Sequence, residues 1–246
     1  MQESIIIIFG LSILSFISGM LGLGVAFAAI PFLGFFMQDL VHQVQPLSLL
    51  LNGVTALLSS FGFARSGFID WKKAILLSVI TTVSAPIGAY IVQFINQKYV
   101  WIIYFISVFY LAYRLFKPVK SSHNVENFKL AALLAIPISI LAGFLGVGPG
   151  FLLMPTLIIA GFEPKKAAGI NSFAVCPPSF SALIPHLSTA QWNFSLTIAL
   201  VVVGALFSFF GARTTSRFVP GSQVKQIFAI LILVVTGYKI YTLFMN

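Results

Sequence analysis

The sequence predicts an all-α polytopic membrane protein whose two homologous four-segment halves insert in inverted topology. Three observations predict it: the composition is strongly apolar, one glycine–proline motif occurs twice, and the basic residues collect on one side of the predicted helices. Of the 246 residues, 59% are hydrophobic and only 8% are charged, whereas a soluble domain carries about 25% charged residues.

Apolar segments recur along the whole chain, and an uncharged apolar run of about 18 or more residues is typical of a membrane helix. Residues 5–9 and 201–210 do not alternate between apolar and polar, which favours helices over the strands of a membrane barrel. The predicted segments are 4–38, 45–65, 73–96 and 99–117 in the first half, and 130–161, 166–186, 193–212 and 224–244 in the second.

The N-terminus and the cysteine content exclude some classes of protein. Residues 1–4 contain no Lys or Arg, so we expect the first segment to be retained rather than cleaved as a signal peptide. The single cysteine, Cys176, excludes an internal disulfide and a cysteine-based metal site. The net charge of +9 is interpreted as basic cytoplasmic loops, not as a nucleic-acid surface.

An internal repeat divides the chain. The pattern G-x-x-G-x-G-x6-P occurs at residues 19–31 and again at residues 143–155, an offset of 124. Further matched pairs follow at offsets between 119 and 125: Asn52 with Asn171, Trp71 with Trp192, Gly88 with Gly211, and Tyr113 with Tyr238. The predicted organisation is membrane repeat 1 at 1–118, a cytoplasmic linker at 119–129 and membrane repeat 2 at 130–246.

The first segment of each half is too long for one span of about 20 residues, and the glycine motif interrupts it. It is either one long bent crossing or a hairpin of two short helices that returns to its own side. If all eight segments cross, the loops place 7 and 6 basic residues on the two faces; with two hairpins they place 12 and 1. Positive-inside asymmetry favours the hairpins, and hence three crossings per half and inverted halves.

The duplicated glycines are the first candidate site. Gly22 and Gly24, with Gly146 and Gly148, can turn sharply and direct backbone N–H groups toward one point. Helices that begin near Val25 and Phe151 would direct their positive ends at the same region, which predicts an anion site near the bilayer midplane. The alternative is close helix packing by small residues.

Polar residues in the second segment of each half are the next candidates: Asn52 and Thr55, and Asn171 and Ser172. An amide NH2 group can donate to an anion, although interhelical hydrogen bonding explains the same residues. Pro177-Pro178 is predicted to break the helix that carries Asn171 and to free backbone groups beside a cavity.

Arg65 and His186 end the matching second segments and are expected to attract an anion at a cavity mouth. The alternatives are an inside-facing anchor for Arg65 and a neutral interfacial role for His186. All five Asp and Glu residues fall at segment ends or in loops, so no proton-relay carboxylate is predicted. No catalytic residues, metal ligands or cofactor motif are found, which predicts that the protein is not an enzyme.

Through the two motifs, and through residues 47–55 and 167–172, the chain resembles the TauE/SafE family of sulfite exporters and toluene-sulfonate uptake permeases. The resemblance covers essentially the whole chain. It implies a multi-pass protein of the bacterial inner membrane that transports small sulfur anions such as sulfite, thiosulfate or organosulfonates. Because no proton-relay carboxylate is predicted and an inside-negative potential drives anions outward, export is the expected direction. Its partners would be the anionic substrate and the lipid bilayer, and a homodimer is compatible with the sequence. A passive anion channel and a non-transporting partner subunit remain as alternatives.

Overall fold

The computed structural model describes residues 2–116 and 126–218, together with the isolated positions 220, 230, 233, 234, 237 and 241. Within these residues the chain is helical and contains no strand. The helices are α1 (Gln2–Leu21), α2 (Ala26–Leu33), α3 (Gln45–Ala64), α4 (Trp71–Val92), α5 (Gln97–Phe116), α6 (Phe128–Leu145), α7 (Gly150–Ile159), α8 (Pro164–Leu183) and α9 (Phe194–Phe218). The predicted segment 224–244 lies outside the described residues except for those isolated positions.

In the described part of the chain, six helices are long and apolar enough to cross a membrane. They cover Glu3–Leu21, Leu40–Ala64, Trp71–Val92, Phe128–Leu145, Pro164–His186 and Phe194–Phe218. A π-helical turn at Leu40–Val44 extends α3, and a 3-10 turn at Ile184–His186 extends α8. The prediction of an all-helical polytopic membrane protein is therefore confirmed.

Helices α3 and α8 lie antiparallel at the centre of the bundle. The start of α3 meets the end of α8, where His186 Nδ1 lies 3.1 Å from the Val41 carbonyl. Halfway along, the Asn52 amide donates to the Ser179 hydroxyl at 2.8 Å. The outer helices α9 and α4 pack on α3 and α8 respectively, and also on α1 and α6.

The first segment of each half forms a long helix and a short helix, α1 with α2 and α6 with α7. After α7 the chain lies beside the start of α6. The N–H of Asn127, before α6, donates to the carbonyl of Ala160, after α7, at 2.8 Å. Glu3 at the start of α1 and Met37 after α2 line one cavity. The predicted hairpins consist of two short helices, but α1 has 20 residues and α6 has 18, so only α2 and α7 are short.

Small side chains face the inside of the bundle and large apolar ones face outward. In α4 the buried residues include Ala85 and Gly88, while Val79 and Val83 are 56% and 71% exposed. This arrangement is typical of membrane helices, in which small residues let backbones approach and lipid covers the large apolar groups.

Four close contacts tie the two halves together, and each involves a glycine where a Cβ atom would lie 2.2 Å or less from a backbone carbonyl oxygen of the neighbouring helix. They are Gly19 with Ser208, Gly143 with Ala85, Gly88 with Ile140, and Gly211 with Phe16. The first two contacts are equivalent, because the repeat offset of about 124 relates Gly19 to Gly143 and Ala85 to Ser208. The last two are equivalent in the same way. Alanine is too large for any of these crossings.

Candidate functional site

Both glycine motifs end a long helix in the same way. Gly22 and Gly24 have φ angles of 63° and 72°, and Gly146 and Gly148 have 71° and 68°. These left-handed conformations favour glycine because a side chain would be strained there. The N–H of Leu23 donates to the Ser18 carbonyl at 3.2 Å, the six-to-one bond that closes many helix ends.

The second motif ends its helix with the same kind of bond. Val147 N–H donates to the Ala142 carbonyl at 3.0 Å, and Gly146 N–H donates to the Gly143 carbonyl at 3.1 Å. The short helices then begin at Ala26 and Gly150, close to the starts expected near Val25 and Phe151.

The two short helices meet at the centre of the bundle. The rings of Phe27 and Phe151 are stacked, with centroids 5.6 Å apart and an interplanar angle of 13°. These residues are 124 positions apart, which is the offset of the glycine motifs. The sequence therefore identified the two helix breaks that the fold brings together.

Asn52 and Thr55 cap the start of α2 from the neighbouring helix. The Asn52 Oδ1 accepts from Ala26 N–H at 2.9 Å, and the Thr55 hydroxyl oxygen accepts from Val25 N–H at 3.2 Å. The Asn52 amide donates to Ser179, so both ends of this side chain are occupied. The predicted anion donors of the first half are thus bonded within the protein in this conformation.

Asn171 is arranged differently. Its Nδ2 donates to the carbonyls of Gly22 at 2.7 Å and Gly150 at 3.3 Å. Its Oδ1 is buried and has no hydrogen-bond partner among the described residues. The neighbouring Ser172 hydroxyl donates to the Gly169 carbonyl at 2.8 Å. The predicted donor of the second half is therefore also in use, and the free atom is an acceptor.

The central polar residues form a buried cluster, and Asn52, Thr55, Asn171, Ser172 and Ser179 are all 0% exposed. Two cavities lie away from it, at opposite ends of the bundle. One, of about 230 Å³, is lined by Phe68, Asp70, Glu163 and Lys166 among others, and one of about 520 Å³ is lined by Glu3, Gln43, Gln191 and Trp192 among others. The described residues thus seal the cluster from both ends.

Arg65 and His186 do not join this cluster. Arg65 is exposed at the end of α3, and its guanidinium carbon lies 5.6 Å from the centre of the Phe209 ring. His186 is buried at the opposite end of the bundle, with its Nδ1 2.8 Å from the Gln93 amide nitrogen. The structure places these two candidates at opposite ends, away from the glycine and asparagine residues.

The prediction that Pro177-Pro178 breaks its helix is wrong, because α8 is continuous from Pro164 to Leu183. Proline at position 178 leaves the Ala174 carbonyl without its helical donor. The Thr81 hydroxyl of α4 donates to this carbonyl at 3.1 Å. A neighbouring side chain therefore satisfies the freed group, and no helix break is needed.

Gly150 is a central residue that sequence reasoning missed, and Ser179 was recognised only as one of the polar residues that follow Asn171 in the second segment. Ser179 lies two helical turns after Asn171 and accepts from Asn52. Gly150 stands 124 positions after Ala26, so the repeat offset was the signal that could have found it.

A cluster of ion pairs lies at one end of the bundle, which we call the basic end. Lys166 donates to Glu126 at 2.7 Å, and Lys73 bonds both Glu126 and Asp70. Burial opposes ionisation of Asp70 and Glu126, but hydrogen bonds and charges from the two lysines outweigh it and hold the pKa of each carboxyl below its ordinary value. The cluster joins the starts of α4, α6 and α8.

Replacing Glu126 by glutamine is expected to lower the melting temperature at neutral pH, since ion pairs of this exposure are worth about 0.2–1 kcal/mol. The ordinary carboxyl pKa is 3.8 for Asp70 and 4.5 for Glu126, and folding lowers both. The stability that results is fully present when the pH is above the ordinary pKa, and it is lost as the pH falls through the lower pKa of the folded protein. The difference between wild type and E126Q should therefore shrink at acidic pH. Glu163→Gln is the control, because Glu163 is exposed and no described residue forms an ion pair with it. A difference that is independent of pH would contradict this account.

Among the described residues, no group of three or more His, Cys, Asp or Glu could hold a metal ion.

Membrane-length helices around a sealed polar cluster, formed where two broken segments meet, are typical of a multi-pass membrane transporter. The model of the family described as "Sulfite exporter TauE/SafE" matches residues 6–239, and the chain belongs to this family. The family is one of transporters rather than enzymes.

Relatives carry matching names. The chain is 23% identical to "Probable membrane transporter protein YunE" of Bacillus subtilis, over 98% of each chain. It is 25% identical to a probable membrane transporter protein of Methanocaldococcus jannaschii, over 78% of this chain and 77% of that one. It is also 23% identical to a probable membrane transporter protein of Xylella fastidiosa, over 98% and 96% of the two chains. No solved structure matches the chain.

Proposed function

We propose that the protein is a secondary transporter of small sulfur-containing anions such as sulfite, thiosulfate or organosulfonates, and that it binds them at the centre between its halves. The observation that carries the proposal is the meeting of two broken segments, at Phe27 and Phe151, beside buried asparagines. Half-helix N-termini at the midplane attract anions without a formal positive charge. The central cluster holds no lysine or arginine, which suits an anion that must also leave.

We infer that the two halves are inverted repeats and that each broken segment is a re-entrant hairpin in the bilayer. The folded-back chain at Asn127 and Ala160 supports this, as do the four glycine contacts that occur in related pairs. The sealed cluster corresponds to an occluded conformation. Opening to either side would require the halves to move at these contacts.

The basic end is proposed to face the cytoplasm, because Arg and Lys are retained on that side. Ser66 is exposed at this end, after α3, and Ser188 is exposed at the other, after α8. In a Cys176→Ala background, an impermeant maleimide should label Ser188→Cys on intact cells and Ser66→Cys only after permeabilisation. The opposite pattern would reverse the proposed orientation, and labelling of both from one side would contradict the antiparallel arrangement of α3 and α8.

Export is the proposed direction. An inside-negative membrane potential drives an anion outward with about 2.3 kcal/mol per charge per 100 mV. The five carboxylates all lie at segment ends or in loops, so none is placed to relay protons for uptake. Uphill anion uptake driven by a proton gradient in proteoliposomes would overturn the direction.

Counterflow in proteoliposomes tests the function itself. Vesicles loaded with unlabelled sulfite should accumulate labelled sulfite transiently, and sulfate, chloride and acetate at matched ionic strength should serve as competitors. A carrier shows counterflow with one or a few sulfur anions. Rapid flux without counterflow would favour a passive channel, whereas neither flux nor binding would favour a partner subunit and reject the transporter.

A further inference from the structure

Two pairs of helices start side by side at opposite ends of the bundle. Helices α4 and α6 both start at the basic end, where Lys73 of α4 bonds Glu126, two residues before α6. Helices α1 and α9 both start at the other end, where their first turns line the larger cavity. Each pair crosses at the glycine contacts described above, roughly four helical turns after its start. The repeat relates α6 to α1 and α4 to α9, so the two starts are equivalent.

The starts of α1 and α9 are not joined by ion pairs. They flank the cavity of about 520 Å³, which both Ile7 of α1 and Thr197 of α9 line. Glu3 is the one charged residue among the described residues that line it, and no described residue forms an ion pair with Glu3. Hydrogen bonds that tie the two halves at this end join neutral groups, for example Gln43 Nε2 and Gln191 Oε1 at 2.9 Å.

The sequence accounts for this difference between equivalent ends. The positions equivalent to the four ionic residues carry no charge. The pairs are Asp70 with Gln191, Lys73 with Phe194, Glu126 with Gln2 and Lys166 with Leu47, at offsets between 119 and 124. Two of these neutral residues, Leu47 and Gln191, line the cavity. One end therefore has ion pairs at the places where the other end has an unbridged cavity.

We infer that the ion pairs of the basic end are a latch. When the pair between Lys73 and Glu126 breaks, α4 pivots against α6 at the glycine crossing, the basic end opens, and the cavity between α1 and α9 closes. The inference rests on the proposed transporter function, because a carrier must exchange access between its two ends. Lys166 of α8 lies 2.7 Å from Glu126 Oε1 and 3.7 Å from Asp70 Oδ2, so the latch joins three helices.

The latch is weak enough to open. Its four side chains are between 25% and 32% exposed, and an ion pair of such exposure changes an equilibrium by a factor of about 1.4 to 5. Salt screens charges that water can reach, whereas the amide hydrogen bonds at the other end join neutral groups. Raised ionic strength should therefore favour opening of the basic end over opening of the opposite end.

Labelling of a buried cysteine measures this opening. Ala74 follows Lys73 in α4 and is 0% exposed, and cysteine differs from it by one sulfur atom. The full chain carrying Cys176→Ala and Ala74→Cys would be placed in lipid nanodiscs and treated with a neutral maleimide. Labelling should be about two- to fivefold faster in Glu126→Gln, and raised salt should speed it without this substitution but not with it. Glu163→Gln is the control, because Glu163 lines the cavity at the basic end and no described residue forms an ion pair with it.

Thr197→Trp tests whether the two ends are coupled. An indole ring in the cavity would hold the starts of α1 and α9 apart, so it should slow labelling at position 74 and cancel the gain from E126Q. Ser195→Trp is the matched control, since Ser195 is exposed in the same part of α9 and does not line the cavity. An unchanged labelling rate in E126Q would overturn the inference. A gain that T197W leaves intact would also overturn it, since the ion pairs would then loosen only locally. If E126Q does not fold, the salt response with and without T197W decides in the same way.

Labelling requires no substrate, so its outcome is separate from that of sulfite counterflow. Counterflow by a protein whose two ends are uncoupled would keep the proposed function and reject the latch. Coupled ends without counterflow of any sulfur anion would keep the latch and reject the proposed substrates.

Discussion

Replacement of Gly88 by alanine is expected to abolish folding of the protein. A Cβ atom at this position would lie 1.8 Å from the Ile140 carbonyl oxygen and 2.6 Å from the Phe144 nitrogen. Both are backbone atoms of α6, so no side-chain rotation relieves the clash, and α4 and α6 would have to separate. Close backbone approach is what holds membrane helices together, and separation would remove the contacts along the crossing.

Helix propensity alone would predict that Gly88→Ala stabilises the protein, which is the opposite of the expected result. In an exposed helix a change from glycine to alanine stabilises by about 1 kcal/mol, whereas here the overpacking should cost several times that amount. Gly237→Ala is the matched control, because no described residue lies within 4 Å of a Cβ built there. Fluorescence-detected size exclusion of tagged protein should show a monodisperse peak for G237A and aggregate for G88A. A monodisperse G88A with an unchanged melting temperature would show that the α4–α6 crossing is looser than described.

The helices were predictable from sequence because each depends on a local signal. Long apolar runs marked the spans, and Gly22 and Gly146 marked the ends of α1 and α6, since only glycine adopts their left-handed φ without strain. The repeat offset also paired Phe27 with Phe151, which stack in the fold. The lengths of α1 and α6 could not be predicted, because an apolar run does not show how far into a bundle the helix continues before it turns.

The sequence predicted which polar residues lie in the central cluster, but not which of their atoms donate or accept hydrogen bonds. Asn52 and Asn171 are both in the central cluster, but the sequence suggested equivalent amide donors. Which end of an amide is free depends on the groups packed around it, here the carbonyls of Gly22 and Gly150. Thr81 shows the same limit, since its hydroxyl reaches the Ala174 carbonyl at 3.1 Å across 93 positions of the chain.

Replacement of Asn52 by leucine is expected to abolish most transport while the protein still folds. Leucine has the same branched arrangement of side-chain heavy atoms, but it removes the acceptor of Ala26 N–H and the donor to Ser179. An N–H left unpaired in a buried site costs about 1–3 kcal/mol, and the start of α2 loses the side chain that caps it. Sulfite counterflow should therefore fall roughly 10- to 100-fold, as that free energy implies.

Ser60→Ala is the control for this variant, because Ser60 is buried on the same helix but donates only to the Leu57 carbonyl within its own turn. It should transport at the wild-type rate, which would separate the loss of the α2 cap from a general loss of polar groups in α3. The melting temperature of Asn52→Leu should fall by only about 2–10 °C, the shift that 1–3 kcal/mol produces in a chain of this size. Wild-type counterflow by folded N52L would mean that the cap on α2 is structural and is not needed for transport.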